Sequence, residues 1–316
     1  MNKKVLILGG AGYIGGFATD YLIGKGYEVC VFDKLIYEDR YLKNVNFVYG
    51  DIRDTDHVIK TAKDYDVVVI MAALVGDPAC AVDVGLTNEI NHLAVLNICQ
   101  RLPQDKHVIF LSTCSVYGAQ LDILDEKSPT NPLSAYASTK LQAEKYVEER
   151  HGTIFRLGTV YGLGDTYSRI RLDLVVNVLV MKAVYEKKIE IFGGEQWRPL
   201  ICVKDIVGYI EEVIRKNIRG TYILSEGNYT MKTLGELMKD LMPEIELKLT
   251  EISFEDARNY RVNGKKAATT FDYIPQYNIR TEALRMKKIF EENRICDVYD
   301  EIYHNGNFIK KNYGKV

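Results

Sequence analysis

The chain has 316 residues and a net charge of −2, from 41 Lys and Arg against 43 Asp and Glu. At about 150 residues per domain this allows two domains or one large one, and near-neutrality provides no global attraction to nucleic acid or an acidic membrane. A composition of 47% hydrophobic and 27% charged residues excludes a disordered chain.

The first apolar run, Val5 to Leu8, follows Lys3-Lys4 and ends at Gly9-Gly10. It is too short for the core of a signal peptide. The longest later run, Val67 to Val75, falls well short of the ~20 residues of a membrane span. Six scattered cysteines form no CxxC, and five histidines form no HxxxH or His/Cys cluster. Neither a zinc site nor a disulfide frame is expected. The expectation is a cytoplasmic protein with no metal, no membrane partner and no nucleic acid.

β-branched runs recur at Val5–Leu8, Glu28–Phe32, Asn46–Tyr49, Val67–Met71, His107–Leu111 and Thr153–Arg156. Helical patterns lie between them near 13–25, 54–63, 83–101 and 134–150. Apolar strands alternating with helices predict an α/β fold, a doubly wound parallel sheet covered on both faces. Its ligands belong at the carboxyl ends of the strands. After Tyr161 the rhythm changes. Helices are predicted over 173–186, over 206–216 with Asp205 as cap, and over 231–241, with strands at Ile189–Phe192 and Thr221–Leu224. The tail from 281 reads as a charged helical cover. The expected division is a dinucleotide-binding domain over 1–165 and a substrate-binding region over 166–316, with a cleft between them.

Gly9, Gly12 and Gly15 lie between the first predicted strand and the first helix, with Tyr13 and Ile14 between the last two glycines. Glycines there let the backbone approach a pyrophosphate, which the helix N-terminus attracts. Asp33 ends the second strand, where a carboxylate accepts hydrogen bonds from the adenosine ribose and repels a 2′-phosphate. The pattern predicts NAD rather than NADP.

Tyr136 and Lys140 are four apart on a predicted helix and share a face. That spacing alone also fits a solvated helix face. Two features favour chemistry: the dinucleotide loop, and the hydroxyl-bearing strand end Leu111-Ser112-Thr113-Cys114-Ser115. A tyrosinate can take the proton of a sugar hydroxyl while hydride leaves the carbon. Lowering a phenol by ~3 pKa units for that purpose needs roughly 4 kcal/mol, which nearby cations can supply.

These residues together resemble the extended short-chain dehydrogenase/reductase family, in its nucleotide-sugar epimerase/dehydratase branch. The resemblance runs from the first strand to at least Val262. Gly9, Gly12 and Gly15 match its GxxGxxG, Asp33 its ribose acid, Asp51-Ile52 the segment along the adenine, and Ala72-Ala73 a stretch beside the cofactor. Asn91 matches an Asn in the next helix. Thr113 falls at the catalytic Ser/Thr position, and Tyr136 and Lys140 match YxxxK. Arg198 matches an arginine that binds the substrate diphosphate, with Asn177 and Arg258 as further diphosphate contacts.

The resemblance implies NAD-dependent oxidation at C4 of a nucleotide-diphosphate sugar, by a 4-dehydrogenase or a 4-epimerase supplying sugars for surface polysaccharide. It also implies a homodimer or higher homo-oligomer. Tyr136 is the implied base, Lys140 its electrostatic support, and Thr113 the hydroxyl that holds the sugar oxygen. Alternatives are a 4,6-dehydratase, a 4-reductase and a non-catalytic NAD-binding scaffold. The sequence departs from the dehydratases, which carry Asp-Glu where Cys114 and Ser115 stand. It departs from many epimerases at Gly158 and Thr159, residues placed where the sugar would turn. Arg169 and Arg171 read either as phosphate ligands or as a solvated loop.

Overall fold

The structure is a computed structural model and describes residues 3–37, 41–164, 169–250 and 259–314. The strands are β1 (Lys4–Leu8), β2 (Glu28–Asp33), β3 (Asn46–Tyr49), β4 (Val67–Ile70), β5 (His107–Thr113), β6 (Ile123–Leu124) and β7 (Thr153–Leu157). They continue as β8 (Thr159–Tyr161), β9 (Lys188–Phe192), β10 (Trp197–Cys202), β11 (Gly220–Leu224), β12 (Gly227–Thr230), β13 (Glu246–Thr250) and β14 (Arg261–Val262). The helices are α1 (Tyr13–Gly24), α2 (Thr55–Ala62), α3 (Asp77–Val82), α4 (Val84–Asn88), α5 (Ala94–Arg101) and α6 (Ala135–Glu149). They continue as α7 (Val175–Tyr185), α8 (Val203–Lys216), α9 (Met231–Leu241), α10 (Lys265–Thr270), α11 (Ile279–Glu291) and α12 (Asn305–Tyr313).

Seven strands form one parallel sheet in the order β11-β7-β5-β4-β1-β2-β3. Alternate strand residues face opposite sides of a sheet covered on both faces, which explains the apolar runs Val5–Leu8, Val67–Ile70 and Val108–Leu111. Leu6 and Leu8 pack on one face with Val58 of α2, Ile98 of α5 and Val147 of α6. Val5 and Ile7 pack on the other with Leu22 of α1 and Ile210 of α8. Strand order reverses between β1 and β4, which opens a crevice at their carboxyl ends.

The main sheet draws on elements from both sides of residue 165. In it β11 pairs with β7, α8 covers the same face as α1, and Ile309 of α12 packs beneath the opposite face. Buried apolar stripes on these late elements can be satisfied only against the sheet. A second core gathers α7, α9, α11, β9 and β10 around residues such as Val180, Met238 and Met286. Asp205 is corrected. It does not cap α8, which starts two residues earlier. Its buried carboxylate accepts from Tyr273 Oη and the Gln276 N–H, both at 2.8 Å. No helix among the described residues is long and apolar enough to cross a membrane.

One buried ion pair joins α6 to the sheet. Arg156 of β7 donates from Nη2 to Glu144 Oε2 at 2.7 Å and from Nε to both Glu144 oxygens at 3.1 Å. Ser112 of β5 donates to the same carboxylate, and Arg156 also donates to Tyr117 Oη at 2.9 Å. The side chains of Arg156 and Glu144 are 8% and 3% exposed. Arg156→Leu is therefore expected to strand a buried carboxylate and cost about 3–5 kcal/mol in urea denaturation. Adding Glu144→Leu should recover most of that loss.

Candidate active site

The turn from β1 into α1 is built on close backbone contacts. Gly9 has φ +89°, and a Cβ there would stand 2.5 Å from the Ala72 nitrogen. A Cβ on Gly15 would lie 2.3 Å from the Gly9 carbonyl oxygen. Only glycine permits both approaches. Gly12 caps α1 without a side-chain bond, so the first N–H groups of the helix face the crevice. Gly12, Tyr13, Ile14 and Gly15 all line it.

One end of the crevice is a cavity of about 230 Å³ lined by Asp33, Gly50, Asp51, Ile52, Ala72 and Ala73, among others. Asp33 accepts from the Ala11 N–H at 3.0 Å and the Leu35 N–H at 2.8 Å. Burial pushes its carboxyl above the ordinary value, against those backbone bonds. Burial also acts to raise Asp51, but hydrogen bonds from Arg53 and Lys34 prevail and hold it below the usual range. Asn91 does not line this cavity. Its amide accepts from Leu74 N and donates to Leu74 O, both at 2.8 Å. It therefore pins the loop that carries Ala72 and Ala73. Asn91 sits in a π-helical turn, Glu89–Leu93, between α4 and α5, which fits the habit of such turns to aim one side chain.

The other end is a cleft of about 800 Å³ that holds Thr113, Ser115, Tyr136, Lys140, Thr159 and Arg198. Tyr136 and Lys140 project from α6 into the cleft at the end of β5, where Thr113 also lines it and accepts from the Ser115 N–H at 3.1 Å. Burial pushes the phenol up, Cys80 and Asp77 add to the rise, and Arg171 and Thr113 oppose it. Lys140 is 2% exposed, with Nζ 4.0 Å from the centre of the Phe110 ring. Burial lowers its ammonium to about 7, against the pull of Glu144.

Residues 5–224 match the model of the NAD dependent epimerase/dehydratase family. The chain belongs to that family. It is 27% identical over 305 residues to the UDP-glucose 4-epimerase of Halalkalibacterium halodurans, covering 86% of this chain and 91% of that one. It is 32% identical over 218 residues to a putative UDP-glucose 4-epimerase of Methanocaldococcus jannaschii, covering 64% and 70%. The solved UDP-glucose 4-epimerase of Thermotoga maritima superposes with a TM-score of 0.79 at 22% identity, over 92% of this chain and 99% of that one.

The cofactor of this epimerase/dehydratase family member is NAD. The crevice fits it: a glycine cradle, exposed helix N–H groups for the diphosphate, and Asp33 where a ribose would lie. The other sequence readings fare unequally. Asn177 is corrected. It is 0% exposed and lines neither cavity. Its amide accepts from Gly162 N at 2.9 Å and donates to Gly162 O at 3.1 Å and Arg171 O at 2.8 Å. It holds the turn at Gly162, where Tyr13 Oη also donates. Arg258 lies outside the described residues. Cys114 is fully buried and donates to the Arg156 carbonyl at 3.3 Å, away from the cleft. Trp197 stacks with Arg261, whose Cζ is 5.4 Å from the ring centre. Arg169 and Arg171 are not on a solvated loop: both line the cleft, and Arg171 pairs with Asp173 at 3.0 Å.

Sequence reading missed Asp77, at the start of α3. It lines the cleft, accepts from Ser134 Oγ at 2.8 Å and acts electrostatically on Tyr136. It belongs to no spacing pattern. Tyr260, which the sequence reads either as a contact to a base or as the edge of a strand, lines the same cleft with its hydroxyl 3.4 Å from Ser115 Oγ. Lys140 gives a pH signature. Between its folded value near 7 and its ordinary 10.5, the unfolded chain binds more protons at this site, so stability rises with pH. In the cofactor-free protein, the wild-type stability minus that of Lys140→Met should climb across this window by at most about 1.4 kcal/mol per pH unit. A flat difference in urea denaturation would show a solvated ammonium.

Proposed function

We propose that the protein oxidises C4 of the glycosyl unit in a nucleotide-diphosphate sugar and then restores the hydride to the opposite face, acting as a 4-epimerase. NAD, when bound, supplies the hydride acceptor. Tyr136 takes the proton of the C4 hydroxyl while Thr113 holds the same oxygen. Lys140 lies one helical turn from Tyr136, so an anion forming on the phenol and a cation on the amine stabilise each other. Arg198 of β10 lines the far part of the cleft, with Nη1 donating to its neighbour's carbonyl, Trp197 O, at 2.8 Å. We assign it the substrate diphosphate, with Thr159 beside the sugar.

The observation that carries this reading is the Thr113, Tyr136 and Lys140 cluster, in a cleft where the two positions after Thr113 hold no acid. A 4,6-elimination needs one group to protonate the leaving hydroxyl and another to take the C5 proton. Cys114 turns its thiol into the core, and Ser115 is a far weaker acid. The relatives named as 4-epimerases support the same reading. A dehydratase reading rests on Asp77, the cleft carboxylate that acts on Tyr136.

The test is to incubate the enzyme with UDP-, GDP-, CDP- and dTDP-sugars and weigh the products. Unchanged mass with inverted C4 is expected. Loss of two hydrogens would mark a dehydrogenase, and loss of water would mark a dehydratase. Tyr136→Phe should lower turnover ~10²–10⁴-fold while NAD binding persists. Arg198→Ala should weaken substrate binding by ~1.5–3 kcal/mol and leave NAD affinity nearly unchanged in calorimetry.

A further inference from the structure

The chain's last helix is more than a cover. Asn305, its first residue, is 1% exposed and engages three residues on two segments. Its N–H donates to Asp173 Oδ2 at 3.0 Å, its amide donates to the Val75 carbonyl at 2.8 Å, and its amide oxygen accepts from Arg169. Val75 belongs to the loop after β4 and Asp173 to the approach to α7, so one side chain joins the two walls of the crevice to α12. Gly306 lies flush on α3, where a Cβ would stand 3.0 Å from Pro78 Cβ. One turn on, the Phe308 ring packs 4.9 Å from that of Tyr37, and Ile309 is buried in the same cluster as Phe32 and Ile52.

These contacts place the helix over the dinucleotide crevice. Ile309 and Tyr313 line the cavity that contains Asp33 and Ile52. Asn305 and Asn307 line the cleft that contains Tyr136. Arg169 lines both, as do Gly9 and Gly12 across from it, and its guanidinium carbon sits 3.4 Å from the centre of the Tyr37 ring. A buried guanidinium opposite the glycine loop faces the stretch where a dinucleotide's diphosphate must pass.

We propose that α12, latched through Asn305 to Arg169 and Asp173, is a third wall of the NAD site and retains the dinucleotide between turnovers. Ile309 and Tyr313 cover the adenosine, and Arg169 meets the diphosphate. Release requires α12 to lift, which exposes Ile309 and breaks the bonds of Asn305. The inference rests on NAD as cofactor. It deepens the epimerase reading, which needs reduced cofactor to stay until the hydride returns.

The test uses no sugar, so it stands or falls apart from the reaction assigned above. The full chain is loaded with etheno-NAD, and its release into excess NAD is followed by fluorescence. The double variant Ile309→Ala/Tyr313→Ala, with Asn305→Ala as a second, should release the probe at least about tenfold faster than wild type. Tyr299→Ala, on the same tail but outside the latch, should not. Release within twofold of wild type from a variant with a wild-type melting temperature overturns the proposal. Should both variants unfold, hydrogen exchange on the wild type decides. Amides of 305–313 that gain protection on adding NAD support the wall, and amides that do not change overturn it.

Discussion

Tyr136, Lys140 and Glu144 lie at four-residue spacing on one face of α6, and the last of them is clamped by Arg156 from β7 and Ser112 from β5. Taking an ion pair out of water costs several kcal/mol per charge. Here the bidentate geometry, the serine hydroxyl and Tyr117 offset that cost by satisfying the polar atoms of both groups. The consequence is positional. A helix fixed at Glu144 cannot slide along the sheet, so Lys140 and Tyr136 arrive one and two turns further up, beside the end of β5. The consequence is also electrostatic. Glu144 opposes the loss of the Lys140 proton, while Arg156 offsets much of its charge. Lys140 is left near neutrality in its titration, poised to respond to a charge that appears on its neighbour.

Much of this was legible in the sequence because it is local or periodic. Strands buried on both faces are rich in apolar residues, and Val5–Leu8 and Val67–Ile70 are apolar at every position. Glycines that admit no Cβ leave a spaced pattern at 9, 12 and 15, and one helix face leaves Tyr136 and Lys140 four apart. What escaped was set by contacts distant in sequence. Asn177 matches a family position, yet its amide is used up on Gly162, and only the fold shows that. Asp205 resembles a cap, yet it binds a loop some 70 residues on. Asp77 and Asn305 carry no motif and are brought to the cleft by the packing of α3 and α12.

The sharing of the main sheet between the two expected regions was hidden for the same reason. Periodicity records that a helix has an apolar face but not which surface receives it. The stripes of α8 and α12 belong to the main sheet, so the region expected to hold only substrate also completes the dinucleotide fold. The second core around α7, α9 and α11 then stands on β10, which pairs with β8 directly after the main-sheet strand β7. That continuity fixes Arg198 and Thr159 relative to Thr113 through the backbone, without a hinge segment between them.

The proposed roles of α12 and of the residues after Thr113 constrain one another. A dinucleotide held under a latched helix must be reoxidised where it was reduced, so only reactions with no net redox change turn over without lifting the latch. That separates epimerisation and elimination from a simple dehydrogenase, which has to discharge reduced cofactor at every cycle. Between the two that remain, elimination asks for an acid and a base around C5 and C6. The strand end that would present them instead buries a thiol against the Arg156 carbonyl and offers a serine beside Tyr260. Rotation of a keto sugar asks only for room and an anchor. The cleft of about 800 Å³ gives the room, and Gly158, packed so tightly on Pro199 that a Cβ would stand 3.0 Å from its carbonyl oxygen, keeps the floor beneath Thr159 low. On the proposed assignment of Arg198 to the diphosphate, a glycosyl unit could turn about its phosphate bond and present its other face to the same tyrosine.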